Sequence, residues 1–190
     1  MQSAPGTKGV AEVVRVAVVG ASGYSGAELV SLLAGHPSAD LISLHAESSS
    51  GQRWEDLYPG KRHVFQAEIR PFEPSRLAGL DVVFLALPHG ASAKAAAALR
   101  GRVAHVIDLS GDLRLPDATS YRRWYGQDHP APELLGHAAY GLPELFGCAL
   151  PGADLVACAG CYATASQLAV APAALAARSG SVSVSIAATS

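Results

Sequence analysis

Positive charge is not in excess along this 190-residue sequence: 14 Lys and Arg stand against 16 Asp and Glu, for a net charge of −2. That balance supplies no basic face for nucleic-acid phosphates, and the one local cluster, Lys61-Arg62-His63, reads as a solvated loop. Long apolar runs are missing too. No stretch reaches the ~18 uninterrupted apolar residues that a membrane helix needs, and Arg15 breaks the first apolar segment, so no signal-peptide core forms. Cysteine is scarce, with three in the chain. They make a poor disulfide framework, and Cys158-x-x-Cys161 has no second pair to complete a zinc site. The expected compartment is the cytoplasm, where thiols stay reduced. Charged residues are only 16% and apolar ones 49%, which excludes a disordered chain. The length suits one well-cored domain, or one domain and the start of another.

What the sequence does contain is an alternation of short apolar strands and helices. "VVRVAVVG" (13–20) is β-branched and ends in glycine, as a buried strand does. A helix follows, with Leu29, Leu32 and Leu33 at helical spacing and Gly35 and Pro37 as stop signals. Further strands are predicted over 39–46, 81–88, 102–110 and 153–160. An alanine-rich helix follows at 91–100, a short helix at Ala118–Tyr125, and a last one from about Tyr162 to Ala177. Residues 1–12 read as a loose leader, and 181–190 as a strand of a mixed sheet. The stretch 111–152 is irregular and rich in Pro, Gly and aromatics, as functional segments often are. The fold class expected is α/β, a Rossmann-type doubly wound parallel sheet. Its domain spans 13–158, and the start of a further α+β domain lies at 159–190.

The turn from the first strand into the first helix carries Gly20, Gly23 and Gly26. A tight turn without Cβ atoms lets a pyrophosphate approach the helix N-terminus, where unpaired N–H groups and the positive dipole end hold it. Ser22 and Ser25 add hydroxyl donors, and Tyr24 can stack or cap. The second strand ends in "HAESSSGQR". Glu47 suits the ribose hydroxyls of NAD, whereas Ser48, Ser49, Ser50 and Arg53 suit the 2′-phosphate of NADP. Both readings stay open.

Five motifs in order, "GASGYSGAELVSLLAGHP", "VFLALPHGAS", "IDLSGDLRL", "YGLPEL" and "AGCYATASQLAVAP", resemble the N-acetyl-γ-glutamyl-phosphate reductase family over residues 14 to 190. The resemblance implies an NADPH-dependent reduction of an acyl phosphate to a semialdehyde in arginine biosynthesis. It also implies a small-molecule substrate, no metal, no nucleic-acid or membrane partner, and a homo-oligomer built through an α+β domain. The aminoadipyl analogue and an aspartate-semialdehyde-dehydrogenase-like activity are the neighbouring alternatives, and "GCYAT" argues against the latter.

The family's nucleophile motif, asparagine-proline-glycine-cysteine-tyrosine-proline-threonine, falls on Cys158-Ala159-Gly160-Cys161-Tyr162-Ala163-Thr164. Cys161 is therefore the implied catalytic residue, at a predicted helix start where a thiolate is favoured. Cys158 takes the place of asparagine and reads as structural. For the acyl-phosphate substrate, Arg114 is the candidate anion-binding residue by bidentate hydrogen bonding. The competing reading pairs it with Asp112 or Asp117. Pro88, His89 and Gly90 follow a strand at the carboxyl edge and are expected to shape the nicotinamide pocket. Tyr140 and Glu144 either position substrate or brace the loop. The family's acid/base histidine lies after its cysteine, yet all seven histidines here lie at or before His137. The chain is thus expected to be an N-terminal portion or a truncated copy, binding dinucleotide weakly and turning nothing over alone.

Overall fold

A computed structural model describes residues 13–176 together with 185 and 187. The leader at 1–12, the rest of the strand expected over 181–190, and Ala177 fall outside the described residues. The elements run β1 (Val14–Val19), α1 (Tyr24–Ala34), β2 (Ala39–His45), α2 (Trp54–Leu57), β3 (Ile69–Arg70), β4 (Val82–Leu85) and α3 (Ala91–Leu99). They continue with β5 (His105–Asp108), α4 (Ala118–Tyr125), β6 (Ala139–Gly141), α5 (Pro143–Phe146), β7 (Leu155–Cys158) and α6 (Cys161–Ala176). Seven strands pair in the order β3-β2-β1-β4-β5-β7-β6, and every pairing is parallel. This is the Rossmann-type sheet that the alternating pattern implies.

β1 shows why the sheet needs cover on both faces. Val16 and Val18 point into a cluster with Ala27, Val30, Leu33 and Trp54. Ala17 and Val19 point the other way, into a cluster with Leu85, Ala93, Ala96 and Leu99. Successive strand side chains alternate faces, so an all-apolar strand must be buried twice. α3 meets the sheet through Ala93, Ala95 and Ala96, whose small side chains let the helix lie close to the strands. α1 buries Gly26, Ala27, Val30 and Leu33, one stripe at helical spacing. Leu32, expected in that stripe, is 71% exposed, because the sheet-facing stripe runs through Ala27 and Val30.

The irregular stretch 111–152 is more ordered than its composition suggests. α4 spans Ala118–Tyr125 as expected, since Asp117 accepts a hydrogen bond from the Ser120 N–H and Gly126 ends the helix at φ 71°. "YGLPEL" supplies β6, which pairs with β7 on the edge of the sheet. Two- and three-residue strands such as β3 and β6 have too few alternations to show a period.

Trp54 is fully buried, and its indole Nε1–H donates to the Ala21 carbonyl at 3.0 Å. Beside it, the Tyr58 hydroxyl donates to the Ser22 carbonyl at 2.7 Å. The α2 segment thereby fastens the turn that follows β1. Trp54→Ala is expected to lower unfolding free energy by ~3–5 kcal/mol, as large-to-small core changes do. Urea titration checks this, and a loss under ~1 kcal/mol would show that the indole does not brace the turn.

Candidate functional site

Strand order reverses at β1: β2 and β3 are added on one side, β4, β5, β7 and β6 on the other, all parallel. In open α/β sheets the ligand crevice opens at the carboxyl ends of the strands at that switch point. A cleft of about 620 Å³ lies there. Gly20, Ser22, Gly23, Tyr24 and Ser25 form one wall, Ala46, Glu47 and Ser48 a second, and Ala86, Leu87, Pro88 and Ala91 the third.

The three glycines of the turn do different work. Gly20 sits at φ +91°, and a Cβ there would lie 2.2 Å from the Ala86 carbonyl oxygen. A Cβ on Gly26 would lie 2.1 Å from the Gly20 carbonyl oxygen. Gly20 is thus fixed by the contact with the end of β4, and Gly26 by helix-to-strand packing. Gly23, preceding α1, has room for a Cβ, 3.5 Å from the same oxygen, but lines the cleft. Its missing side chain serves the ligand. The N–H groups of the first turn of α1 have no acceptor within the helix and open where an anion would sit. This cradle fits a dinucleotide pyrophosphate.

The family described as semialdehyde dehydrogenase, NAD binding domain, matches residues 15–153. The chain belongs to that family. It is also 46% identical over 159 residues to N-acetyl-gamma-glutamyl-phosphate reductase of Symbiobacterium thermophilum, covering 84% of this chain and 46% of that protein. The protein of the same name from Rubrobacter xylanophilus is 48% identical over 162 residues, covering 83% of this chain and 45% of that one. The chain thus spans about half the length of these curated relatives. Among solved structures, aspartate semialdehyde dehydrogenase II from Vibrio cholerae, complexed with ASA, superposes with a TM-score of 0.58 at 20% identity. That superposition covers 87% of this chain and 47% of that one, and it shows the shared fold.

Within this semialdehyde dehydrogenase domain, the residues singled out from sequence fall into three groups. Gly20, Ser22, Gly23, Tyr24, Ser25, Ser48 and Pro88 line the cleft, and Gly26 lies behind them. Around Cys161 the second group gathers. Cys161 is exposed and opens α6, and the Thr164 N–H donates to the Gly160 carbonyl at 2.8 Å to close the first turn. Arg114 pairs with neither Asp112 nor Asp117. Its Nε donates to the Cys158 carbonyl at 2.7 Å and its Nη2 to the Leu109 carbonyl at 2.8 Å. A Cβ on Gly160 would come within 2.8 Å of Nη1, so the guanidinium packs against Gly160, just before Cys161. Arg114 and Tyr140 line one cavity of about 230 Å³, and the Tyr140 hydroxyl accepts a hydrogen bond from Gln167 of α6. Glu144, on α5, is exposed and lines neither cavity. Burial raises the Cys158 thiol above its ordinary range, with the Asp108 carboxylate adding and Arg114 opposing. That holds the thiol protonated and fits a structural part.

The third group is His89 and Gly90, which the structure joins to a buried carboxylate. Asp112 is fully buried. It accepts from the Gly90 N–H at 2.9 Å and from the Ala93 N–H at 2.8 Å, capping α3 from 19 to 22 residues away. His89 Nδ1 lies 2.7 Å from Asp112, and its Nε2 lies 2.8 Å from the Tyr121 hydroxyl. Both ring nitrogens of His89 thus have side-chain partners, Asp112 and Tyr121. Sequence reasoning weighed Asp112 only as a partner for Arg114. One signal was available: α3 opens at Gly90 with no side-chain cap of its own, so its first N–H groups needed an acceptor from elsewhere.

Tyr121, also fully buried, has its hydroxyl pushed up to about 12, first by burial and then by the Asp112 charge. The folded protein holds this proton more tightly than the unfolded chain does. Its contribution is therefore intact below pH 10, the ordinary tyrosine value, and is lost as pH rises from there to about 12. Stability should fall across that interval, and Tyr121→Phe should flatten the decline in pH-dependent urea titrations. An unchanged alkaline slope would place the effect elsewhere.

The glycine assignments give a second test. Gly26→Ala should cost ~1–3 kcal/mol of stability, as over-packing does. Gly23→Ala should stay within ~0.5 kcal/mol of the parent while weakening binding of a dinucleotide followed by fluorescence. Equal destabilisation by both would overturn the division of roles.

Proposed function

We propose that the domain binds a nicotinamide dinucleotide and serves the reduction of N-acetyl-γ-glutamyl phosphate to its semialdehyde, with Cys161 as the nucleophile. The observation that carries the reading is the placement of Cys161: exposed, at the first residue of α6, just beyond the carboxyl end of β7. The relatives' names and the glycine cradle support the same reaction class. Gly20, Ser22, Gly23 and Ser25 would hold the pyrophosphate, and Pro88 would wall the nicotinamide side.

The first step follows from thiol chemistry. Sulfur of the Cys161 thiolate attacks the acyl carbon, the C–O bond to phosphate breaks, and phosphate leaves with the electron pair. What remains on Cys161 is a thioester, with no change of oxidation state. A nicotinamide dinucleotide held at the glycine turn would supply the hydride chemistry that takes the acyl group to the aldehyde level and frees the Cys161 sulfur. Arg114 supports this in two ways. It fixes the Cys158 carbonyl, and with it the loop before Cys161. It also brings positive charge to the cavity it shares with Tyr140, where a substrate carboxylate or phosphate would be stabilised.

A half-reaction tests the proposal without a full cycle. Incubation with N-acetyl-γ-glutamyl phosphate should release inorganic phosphate and add one N-acetylglutamyl group to Cys161, seen by intact-mass measurement. Cys161→Ala should lower the acylation rate at least ~10³-fold. Phosphate release surviving in that variant would sink the nucleophile assignment. Faster acylation by β-aspartyl phosphate would redirect the substrate to the aspartate analogue.

A further inference from the structure

Beside the main cleft a second hollow, of about 250 Å³, opens over the ends of β1, β2 and β3. Val19, Phe72, Leu87, Ala91 and Ala95 give it apolar walls, and Glu47 and Lys94 supply its charged groups. Ala46, Glu47, Leu87 and Ala91 border both hollows, so one extended ligand can run from the glycine turn into the second. A dinucleotide with its pyrophosphate at α1 would place its adenosine there.

Two opposite charges would then face the adenosine ribose, and they are held differently. Glu47 Oε1 accepts a hydrogen bond from the Phe72 N–H at 3.2 Å, which fastens its carboxylate to the loop after β3. Lys94 is the fourth residue of α3 and, among the described residues, is the basic side chain lining either hollow. Arg53, the cation expected to meet a 2′-phosphate, is instead paired with Glu55 at 2.5 Å. Arg76 is likewise paired with Glu73.

We propose that Lys94 is the residue that selects a 2′-phosphorylated dinucleotide, with Glu47 opposing it. The proposal rests on the dinucleotide reading of the cleft and not on the chemistry of Cys161. The physical reason is charge. A phosphate monoester carries −1.5 to −2 at neutral pH. Near the carboxylate of Glu47 it would be repelled unless a cation shares the hollow. Lys94 has a flexible stem and a compact ammonium that can swing onto the phosphate. A ligand with plain ribose hydroxyls gains little from Lys94 and can donate to Glu47. The two residues therefore pull the choice of coenzyme in opposite directions.

The test is binding, read by NADPH and NADH fluorescence and by competition with 2′,5′-ADP and 5′-ADP. Lys94 is exposed, so Lys94→Ala should fold as the parent does, which circular dichroism would verify. The variant should bind NADPH and 2′,5′-ADP about tenfold more weakly, a difference of about 1.4 kcal/mol, with NADH and 5′-ADP changed less than about twofold. Glu47→Gln should shift preference the other way, tightening NADPH and weakening NADH. Added salt should narrow the gap between the coenzymes in the parent, since an exposed charge contact is screened, and should not do so in Lys94→Ala. Equal weakening of all four ligands, or none, would overturn the role of Lys94 while leaving the dinucleotide site standing. Failure of the parent to bind any of the four would overturn the site as well.

Discussion

The site is organised by the contact between two backbone segments at the Gly20–Gly26 turn. Gly20 lies so close to the end of β4 that no side chain fits, and Gly26 lies as close to the Gly20 carbonyl. These approaches set the angle at which α1 leaves the sheet, and hence where its N-terminus points. They also set the spacing between the glycine turn and the loop after β4, which is the width of the cleft. Trp54 and Tyr58 hold the turn from the far side through the Ala21 and Ser22 carbonyls. The cavity wall is therefore backbone clamped between two packed layers, which suits a ligand recognised mainly by its phosphates.

Three helices start at the carboxyl edge of the sheet, each after a glycine: α1 after Gly23, α3 after Gly90 and α6 after Gly160. Their positive ends are put to different uses. That of α3 is already answered by the buried Asp112 carboxylate. Asp108 sits nearby, fully buried, its pKa raised by burial although Ser92 and Ser110 hydrogen-bond to it. With α3 neutralised from within, α1 and α6 are the starts that face the outside, one over the cleft and one bearing Cys161. Electrostatics here is a matter of allocation among helix ends.

How much of this could be read from the sequence depended on whether a feature was local. β1, β2, β4, β5 and β7 were legible because central parallel strands are apolar on both faces. The bounds of α4 were legible because Asp117 and Gly126 are caps within its own segment. The glycine turn was legible for a steric reason, spelled out by spacing. β3 and β6 were not, being two and three residues long. Leu32 was misplaced because consecutive leucines fit more than one helical stripe. The partners of Arg114 were hidden because they are carbonyls, which every residue has and no sequence marks. Lys94 was hidden for a related reason: it is one cation in an alanine-rich helix, and the hollow it lines draws on four separate segments.

The edges of the sheet carry a consequence of their own. Among the described residues the sheet ends on β3 at one side and β6 at the other, the two shortest strands in it. The unpaired backbone groups along those borders span only a few residues, too little to template a strand from another molecule. The long, apolar strands that would aggregate most readily are all interior. Brevity at the margins thus leaves, among the described residues, little backbone open to edge-to-edge pairing.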